Sequence, residues 1–343
     1  MIHNSGLTTM YVPNFYLTYP IKEYPLSNLN QTIFITGANG FIGTSLVKCA
    51  EDRGFEVIQG VRCIESVRNK GKKYIEMDLS ISDLKIDLEN VDIVVHAAGV
   101  AHQSYSADKE AHYTSINVEG TKKLIQSCKK ARVKRFIFIS SVKVFGERTK
   151  GSPLVLTGDE FPEDVYGKSK LEAEKAVSTL CPEFGIEYVI IRPPLVYGPG
   201  VKANFLKLIK LTRYPIPLPF KTISEKRSYV YIENLTDAIM QASQHPKAPG
   251  NTYYIADDHP LSINYMITLL GQAMGTKPLL FPLPRKVVNI VFRFFGLAQQ
   301  LNKIAKPLEI SNRNAELTMN WTPKFSTKEG INKTIEWYKK SFT

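Results

Sequence analysis

In the run Tyr166-Gly167-Lys168-Ser169-Lys170 a phenol and an ammonium stand four residues apart, which on a helix puts both on one face. An ammonium beside a phenol favours the phenolate and lowers a pKa ordinarily near ~10. Lys170 is therefore expected to make Tyr166 a usable acid or base near neutral pH. Before them comes Ser141, in Ser140-Ser141-Val142-Lys143, just after the apolar run Arg135 to Ile139. Its hydroxyl would hydrogen-bond the reacting oxygen. A helical Tyr-x-x-x-Lys alone is common and usually structural. Here its weight comes from its place in the chain, after a serine at a strand end and a glycine turn further back.

That turn lies within Thr32 to Ser45: an apolar strand (Ile33, Phe34, Ile35), then Thr36-Gly37-Ala38-Asn39-Gly40-Phe41-Ile42-Gly43, then an apolar helix start. Three glycines spaced three apart between a strand and a helix make a dinucleotide-binding turn. Gly37 would permit the tight turn, Gly40 the approach of backbone to a pyrophosphate, and Gly43 close packing of helix on strand, with phosphates at the helix's positive end. The spacing is G-x-x-G-x-x-G, not the G-x-G-x-x-G of ordinary dehydrogenases. Gly37, Asn39, Gly40, Phe41, Ile42 and Gly43 are thus candidate cofactor contacts.

The chain between these two motifs reads as strands separated by helices. A helix to about Arg53 precedes a second strand, Phe55 to Val61, whose tip is Gly60-Val61-Arg62. At this tip an acid accepts from the adenosine 2′-hydroxyl in NAD binders and an Arg accommodates the 2′-phosphate of NADP; Arg62 stands there without an acid. A third strand, Tyr74 to Met77, delivers Asp78 and Leu79 to an adenine edge. A fourth, Val91 to His96, runs into Ala97, Ala98 and Gly99, small residues that let backbone pass close to a cofactor. Asn117 opens a helical stretch to Thr121, and Arg135 to Ile139 is the fifth strand. The near-continuous apolar run Ile93-Val94-Val95 suits a sheet covered on both faces. Right-handed β-α-β units follow, and with them an α/β class: a doubly wound parallel (Rossmann) sheet with a smaller, discontinuous C-terminal domain.

The chain has 343 residues, 43% hydrophobic and 22% charged, the composition of an ordinary globular protein with ample core. Its net charge of +12 comes from scattered basic pairs such as Lys72-Lys73 and Lys129-Lys130. With no block of like charge, the excess reads as mild attraction for anionic ligands and not as a nucleic-acid arm. Cys49, Cys63, Cys128 and Cys181 show no paired or metal-ligand spacing; they fit a reducing cytoplasm, and no metal is expected. No uncharged apolar run reaches the ~20 residues of a membrane span. The greasy stretch Val287 to Ala298 reads as a core-facing helix in preference to one resting on a membrane. Residues 1–30 carry Pro13, Pro20 and Pro25 and read as an extension, not a signal peptide.

With these residues in hand, the chain from about Gln31 onward resembles the extended short-chain dehydrogenase/reductase family, and within it the nucleotide-sugar epimerases, dehydratases and ketoreductases. The likeness rests on the glycine turn, Ser140-Ser141, Tyr166-x-x-x-Lys170, Arg192-Pro193-Pro194-Leu195-Val196-Tyr197-Gly198-Pro199-Gly200 and Arg227-Ser228-Tyr229-Val230-Tyr231-Ile232. It implies cofactor contacts at Asn117, Ser140 and Pro193. It implies sugar and uracil contacts at Lys202, Asn204 and Phe205, and a diphosphate clamp at Arg227, whose bidentate donors suit phosphate. It also implies a homodimer through a four-helix contact. Domains are expected at 31–194 with 226–256 for the cofactor and 195–225 with 257–343 for the sugar nucleotide. Strand pieces near Tyr229 to Ile232 and Thr252 to Ile255 would join the sheet, and Pro215, Pro217 and Pro219 mark a stiff connection.

The family's 4,6-dehydratases carry an Asp-Glu pair where this chain has Val142 and Lys143, so dehydration lacks its acid and base. Phe145 replaces a usual Tyr. The runs Ser141 to Glu147 and Pro199 to Phe205 are most similar to enzymes of bacterial surface-polysaccharide synthesis that act at C4 of UDP-N-acetylhexosamines or their 4-keto-6-deoxy forms. Two uses of such a site remain, a 4-ketoreductase that exchanges NADP(H) and a 4-epimerase that retains NAD(H). Arg62 favours the first. A non-catalytic dinucleotide-binding regulator would typically lack the Tyr-Lys pair.

Overall fold

The computed structural model describes residues 31–342 except 66, 68–70, 82–83, 102–108, 150, 157–159, 215–216 and 295–305. The expected extension at 1–30, and Pro215, lie outside the described residues.

Seven parallel strands form the central sheet in the order β11-β6-β5-β4-β1-β2-β3. They are β1 (Thr32–Thr36), β2 (Glu56–Val61), β3 (Lys73–Glu76), β4 (Ile93–His96), β5 (Arg135–Ile139), β6 (Glu187–Arg192) and β11 (Asn251–Tyr254). The order reverses between β1 and β4, which pair with Thr36 opposite His96. Ligands bind at the carboxyl ends of the strands beside such a reversal, and both the glycine turn and Ala97 to Gly99 leave the sheet there. Apolar strand residues are buried on both faces. Ile33, Ile35, Val95 and Ile137 lie in one cluster with α1 (Phe41–Asp52) and α6 (Ile232–Gln244). Phe34, Val94, Phe136 and Phe138 lie in another with α3 (Gly120–Ala131) and α4 (Val165–Glu183). Two-sided burial explains why these strands read as apolar runs and not as alternating ones.

A short α2 (Lys109–Tyr113) runs into a π-helical turn, Thr114–Glu119, before α3, so the helix expected at Asn117 is locally underwound. Such turns occur often at functional sites.

A third core gathers Tyr197, Phe205, Phe220, Tyr229, Met266, Ile331 and Tyr338. It is built from α5 (Ala203–Thr212), α7 (Ile263–Met274) and α10 (Thr327–Phe342). The short strand β7 (Leu195–Tyr197) pairs in parallel with β10 (Tyr229–Tyr231) as a separate two-stranded sheet. This corrects the expectation that Tyr229 to Ile232 joins the central sheet; only the Thr252 stretch does, as β11. The remaining short pairs are β8 (Pro217–Leu218) with β13 (Leu279–Leu280), and β9 (Lys226–Arg227) with β12 (Leu261–Ser262). Helix α9 (Arg313–Met319) returns to the main sheet, where Ala315, Met319 and Trp321 pack into its core. There Asp237 on α6 accepts from Trp321 Nε1 at 2.9 Å and pairs with Arg53 and Lys324, tying the chain's end to α1.

Helix α8 (Arg285–Phe294) buries Val288 but leaves Ile290 and Phe294 67% and 85% exposed, so it is less core-facing than its sequence suggests. Among the described residues no helix is long and apolar enough to cross a membrane, and no group of three His, Cys, Asp or Glu has the geometry to hold a metal.

Candidate active site

A cleft of about 440 Å³ opens where β1 and β4 part, lined among others by Gly37, Asn39, Gly40, Arg62, Asp78, Leu79, Ala97, Ala98 and Gly99. Nine sequence-chosen cofactor residues thus share one wall. Gly37 has φ +65°, and a Cβ there would sit 3.0 Å from the Ala98 backbone. A Cβ on Gly43 would lie 2.0 Å from the Gly37 carbonyl, so only glycine lets α1 start this close to β1. No side chain caps the start of α1, which leaves its first N–H groups available to an anion. A cradle a Cβ would fill, an uncapped helix start and Arg62 together fit a dinucleotide.

Phe41 and Ile42 turn away from the cleft and pack against the third core. Sequence reasoning missed Gly60, Val61, Cys63, Met77 and Ile116, which also line the cleft. Val61, Cys63 and Met77 adjoin the chosen Arg62 and Asp78 at the ends of β2 and β3, and Ile116 adjoins Asn117. Asp78 is held below its ordinary pKa by the backbone and hydroxyl of Ser80, at 2.9 and 2.7 Å, with a contribution from Arg62.

Ser141, Tyr166 and Lys170 are not among the residues that line this cleft; the last two stand on α4. Asp164 caps this helix, its Oδ1 accepting from Gly167 N–H at 2.7 Å, as an Asp before a helix should. The Ser141 hydroxyl meets the Tyr166 phenol and draws its pKa down, but burial wins and pushes it up to about 12, with Asp164 and Tyr113 adding to the rise. Lys170 is brought down to about 7 by burial, opposed by Glu174, and its ammonium lies 4.1 Å from the centre of the Phe138 ring. The expectation that Lys170 lowers Tyr166 is therefore corrected: burial dominates the phenol and the ammonium lies on the Phe138 ring. A desolvated ammonium stacked on an aromatic ring does not support a phenolate.

Ser140 N–H donates to Ile191 O at 2.8 Å, while its hydroxyl is buried without a hydrogen-bond partner among the described residues. Pro193 accepts from Val142 N–H at 3.0 Å, fixing the turn that carries Ser141. Asn117 commits its amide to protein: it accepts from Val100 N–H at 2.9 Å and donates to Val100 O at 3.1 Å and to Ser169 Oγ at 3.0 Å. It thereby joins the π-helical turn, the loop after β4 and α4.

The proposed sugar-nucleotide contacts divide. Arg227 is buried, its Nη1 donating to Lys306 O at 3.3 Å, and its Nε has no hydrogen-bond partner among the described residues. Burial depresses its pKa. A buried guanidinium with an idle donor is a costly arrangement that an anion would relieve. Lys202 is exposed and Asn204 half-buried at the start of α5. Phe205 is 3% exposed and stacks on Tyr197 with ring centres 5.3 Å apart; its side chain belongs to the third core and not to a ligand surface.

Two neighbours of these residues escaped the sequence reading. His96, 1% exposed, bridges the hydroxyls of Thr36 at 2.7 Å and Thr121 at 3.0 Å; its place before Ala97-Ala98-Gly99 was the available signal. Tyr113 lies against Tyr166, ring centres 6.1 Å apart.

Residues 33–256 match the family model described as "NAD dependent epimerase/dehydratase family". A Vibrio cholerae UDP-glucose 4-epimerase is 36% identical over 313 residues, covering 89% of this chain and 95% of that one. A human dTDP-D-glucose 4,6-dehydratase is 27% identical over 334 residues, covering 90% of each. Among solved structures, the Bacillus cereus UDP-glucuronic acid 4-epimerase in complex with NAD superposes with a TM-score of 0.73 at 22% identity over 91% of this chain and all of the other. The Thermotoga maritima UDP-glucose 4-epimerase with UDP-glucose gives 0.73 at 23% identity, with the same coverage of both chains. The structures establish the fold, and the family model together with the Vibrio cholerae relative establishes the lineage: the chain belongs to the NAD dependent epimerase/dehydratase family.

Proposed function

We propose that this enzyme moves hydride at C4 of a UDP-sugar, with reduction of a UDP-4-keto-6-deoxy-N-acetylhexosamine as the net reaction and NADP(H) as the cofactor. The observation that carries the reductase reading is Arg62 at the tip of β2, with no carboxylate on that strand end to grip an unphosphorylated ribose. When bound, the cofactor supplies the hydride. Gly37, Gly40 and the start of α1 hold its diphosphate, and Arg62 its 2′-phosphate. Tyr166, protonated at neutral pH because burial raises its pKa, donates its proton to the C4 oxygen as the ketone becomes an alcohol. Ser141 donates a hydrogen bond to that same oxygen, and Lys170 lies one turn along the helix, placed to turn toward the ribose. Arg227 binds the sugar's diphosphate, and the third core closes the sugar side. Val142 and Lys143 stand where the family's dehydratases carry an Asp-Glu pair, which speaks against dehydration.

A second reading, a 4-epimerase that keeps NAD, draws support from the Vibrio cholerae relative at 36% identity. The two separate in paired incubations. With a UDP-4-keto-6-deoxy-N-acetylhexosamine the reductase oxidises NADPH. With UDP-N-acetylglucosamine and no added cofactor only the epimerase inverts C4. Inversion in the second mixture without NADPH oxidation in the first overturns the reductase.

A further inference from the structure

The basic residues of this chain are scattered, but its acids are not. Residues 201–223 carry Lys202, Lys207, Lys210, Arg213 and Lys221 without one Asp or Glu, and residues 259–294 carry Lys277, Arg285, Lys286 and Arg293, again without one. These two stretches hold nine positive charges, in a chain whose net charge is +12. The fold brings them together around the third core. β8 pairs with β13, Lys221 N–H donates to Phe281 O at 3.4 Å, and Thr222 Oγ–H donates to Leu283 O at 2.6 Å. Where α5 and α7 end, the Thr276 hydroxyl donates to Thr212 O at 2.8 Å.

The same region shows apolar side chains to solvent. Pro217 and Leu279 stand opposite each other on β8 and β13, and both are exposed, as is Phe281 two residues on. Val288 then seats α8 on the third core. Positions 286, 287, 290 and 293 fall on the other side of that helix at 3.6 residues per turn, and Lys286, Val287, Ile290 and Arg293 are all exposed there. The outward face of α8 is thus aliphatic along its middle, with a cation toward either end.

We propose that α8 and the adjoining β8–β13 pair dock this protein on the surface of an anionic lipid bilayer. Val287 and Ile290 enter the headgroup boundary while the surrounding lysines and arginines meet lipid phosphates. A helix of this pattern lies in the plane of the interface, held by apolar burial together with attraction to anionic headgroups. Each basic residue near such a surface strengthens binding about fivefold, and the two stretches hold no carboxylate to oppose it. Other occupants match the face less well. A second copy of the chain would set cation against cation, and a nucleic acid would meet aliphatic Val287 and Ile290 where it needs rings for its bases to stack on. At ten residues, with Val288 in the protein core, α8 rests on a bilayer and does not cross it.

The test is flotation of the full chain with vesicles of phosphatidylcholine containing one third phosphatidylglycerol, beside vesicles of phosphatidylcholine alone, at physiological salt. Wild type should float with the anionic vesicles and stay behind with the neutral ones. Ile290→Asp and Arg293→Glu should each weaken binding at least about fivefold with an unchanged melting temperature, because both side chains are exposed. Lys130→Glu, on exposed α3, alters net charge as much as Arg293→Glu and should leave binding within about twofold, since screening confines each charge to its own neighbourhood. Absence of wild-type binding, or equal binding to neutral vesicles, overturns the proposal. Equal losses in Arg293→Glu and Lys130→Glu overturn it too, by reducing the effect to net charge. So does tighter binding to a single-stranded RNA oligonucleotide than to vesicles with Ile290→Asp harmless, which would make the face a nucleic-acid site. None of these readouts needs turnover, so they stand or fall apart from the sugar-nucleotide reading.

Discussion

His96 offers a stability test whose size follows from its surroundings. Thr121 Oγ–H donates to Asn117 O at 2.6 Å, so its oxygen is left to accept from His96 Nε2–H at 3.0 Å. Nδ1 then carries no proton and accepts from Thr36 Oγ–H at 2.7 Å, and the Thr36 oxygen accepts from Ala98 N–H at 3.1 Å. One neutral tautomer satisfies every group; a protonated ring would set two donors against each other at Thr36. Burial, with Lys170 nearby, lowers the His96 pKa from 6.5 to about 3. Between those values the unfolded chain binds a proton that the folded chain refuses, so stability rises with pH across the window and is fully present above about 6.5. At pH 4.5 the unfolded imidazole is about two pH units below its pKa, worth about 2.5 kcal/mol of lost stability from this residue. The perturbation is His96→Gln, which keeps a donor toward Thr121 and cannot titrate. Urea unfolding at pH 7 and pH 4.5 should show a loss smaller by about 2.5 kcal/mol in the variant than in wild type. Carboxylates contribute alike to both proteins and cancel. Equal losses in the two refute a neutral, buried His96.

Gly43→Ala places a methyl 2.0 Å from the Gly37 carbonyl and 2.8 Å from Ala38 Cα; the overpacking should cost roughly 1–3 kcal/mol in thermal or chemical denaturation and weaken dinucleotide binding by calorimetry. Arg62→Glu should weaken NADPH binding by about 1.5–3 kcal/mol, the worth of a charged hydrogen bond, and leave NADH binding equal or tighter; parallel titrations with the two cofactors read the difference. Arg227→Met removes a buried donor that has no partner among the described residues, so the ligand-free protein should be no less stable, while the rise in melting temperature on adding UDP should disappear.

The sheet was legible because its strands are two-sided: Ile93-Val94-Val95 and Phe136-Ile137-Phe138 are apolar without alternation, which only a covered parallel sheet tolerates. The glycine turn was legible because Gly37 and Gly43 stand where any Cβ collides with backbone, a constraint written at single positions. β10 was misassigned for the opposite reason: three residues, Tyr229–Tyr231, pair with the three of β7, and nothing in so short an apolar run says which sheet it joins. Phe205 was a ligand contact only by the family resemblance, which says nothing of packing; its ring lies beside Tyr197 in the third core. The electrostatics were the least legible. A spacing of four places Tyr166 and Lys170 on one face, but it does not report the Phe138 ring beneath the lysine or the burial that raises the phenol.

What keeps Lys170 available is settled one turn further along α4. Glu174 is the carboxylate that supports the Lys170 charge, yet it is already bound by Arg192, whose Nε reaches it at 3.0 and 3.2 Å and whose Nη2 at 2.6 Å. Arg192 also takes Glu160 at 2.8 Å, so one buried guanidinium serves two carboxylates and its own pKa is driven up. Had Glu174 faced Lys170 alone, the pair would have closed into a buried salt bridge, and turning the lysine toward any other partner would have meant leaving a charge unpaired, at several kcal/mol. Because Arg192 holds Glu174, the lysine rests instead on the Phe138 ring, an interaction of about 0.5–2 kcal/mol, small enough to be exchanged for another partner. The arrangement therefore predicts that Arg192→Met frees Glu174 to capture Lys170. A Lys170 side-chain ¹⁵N signal that titrates at higher pH than in wild type would mark that capture, and an unchanged midpoint in a folded variant would refute it.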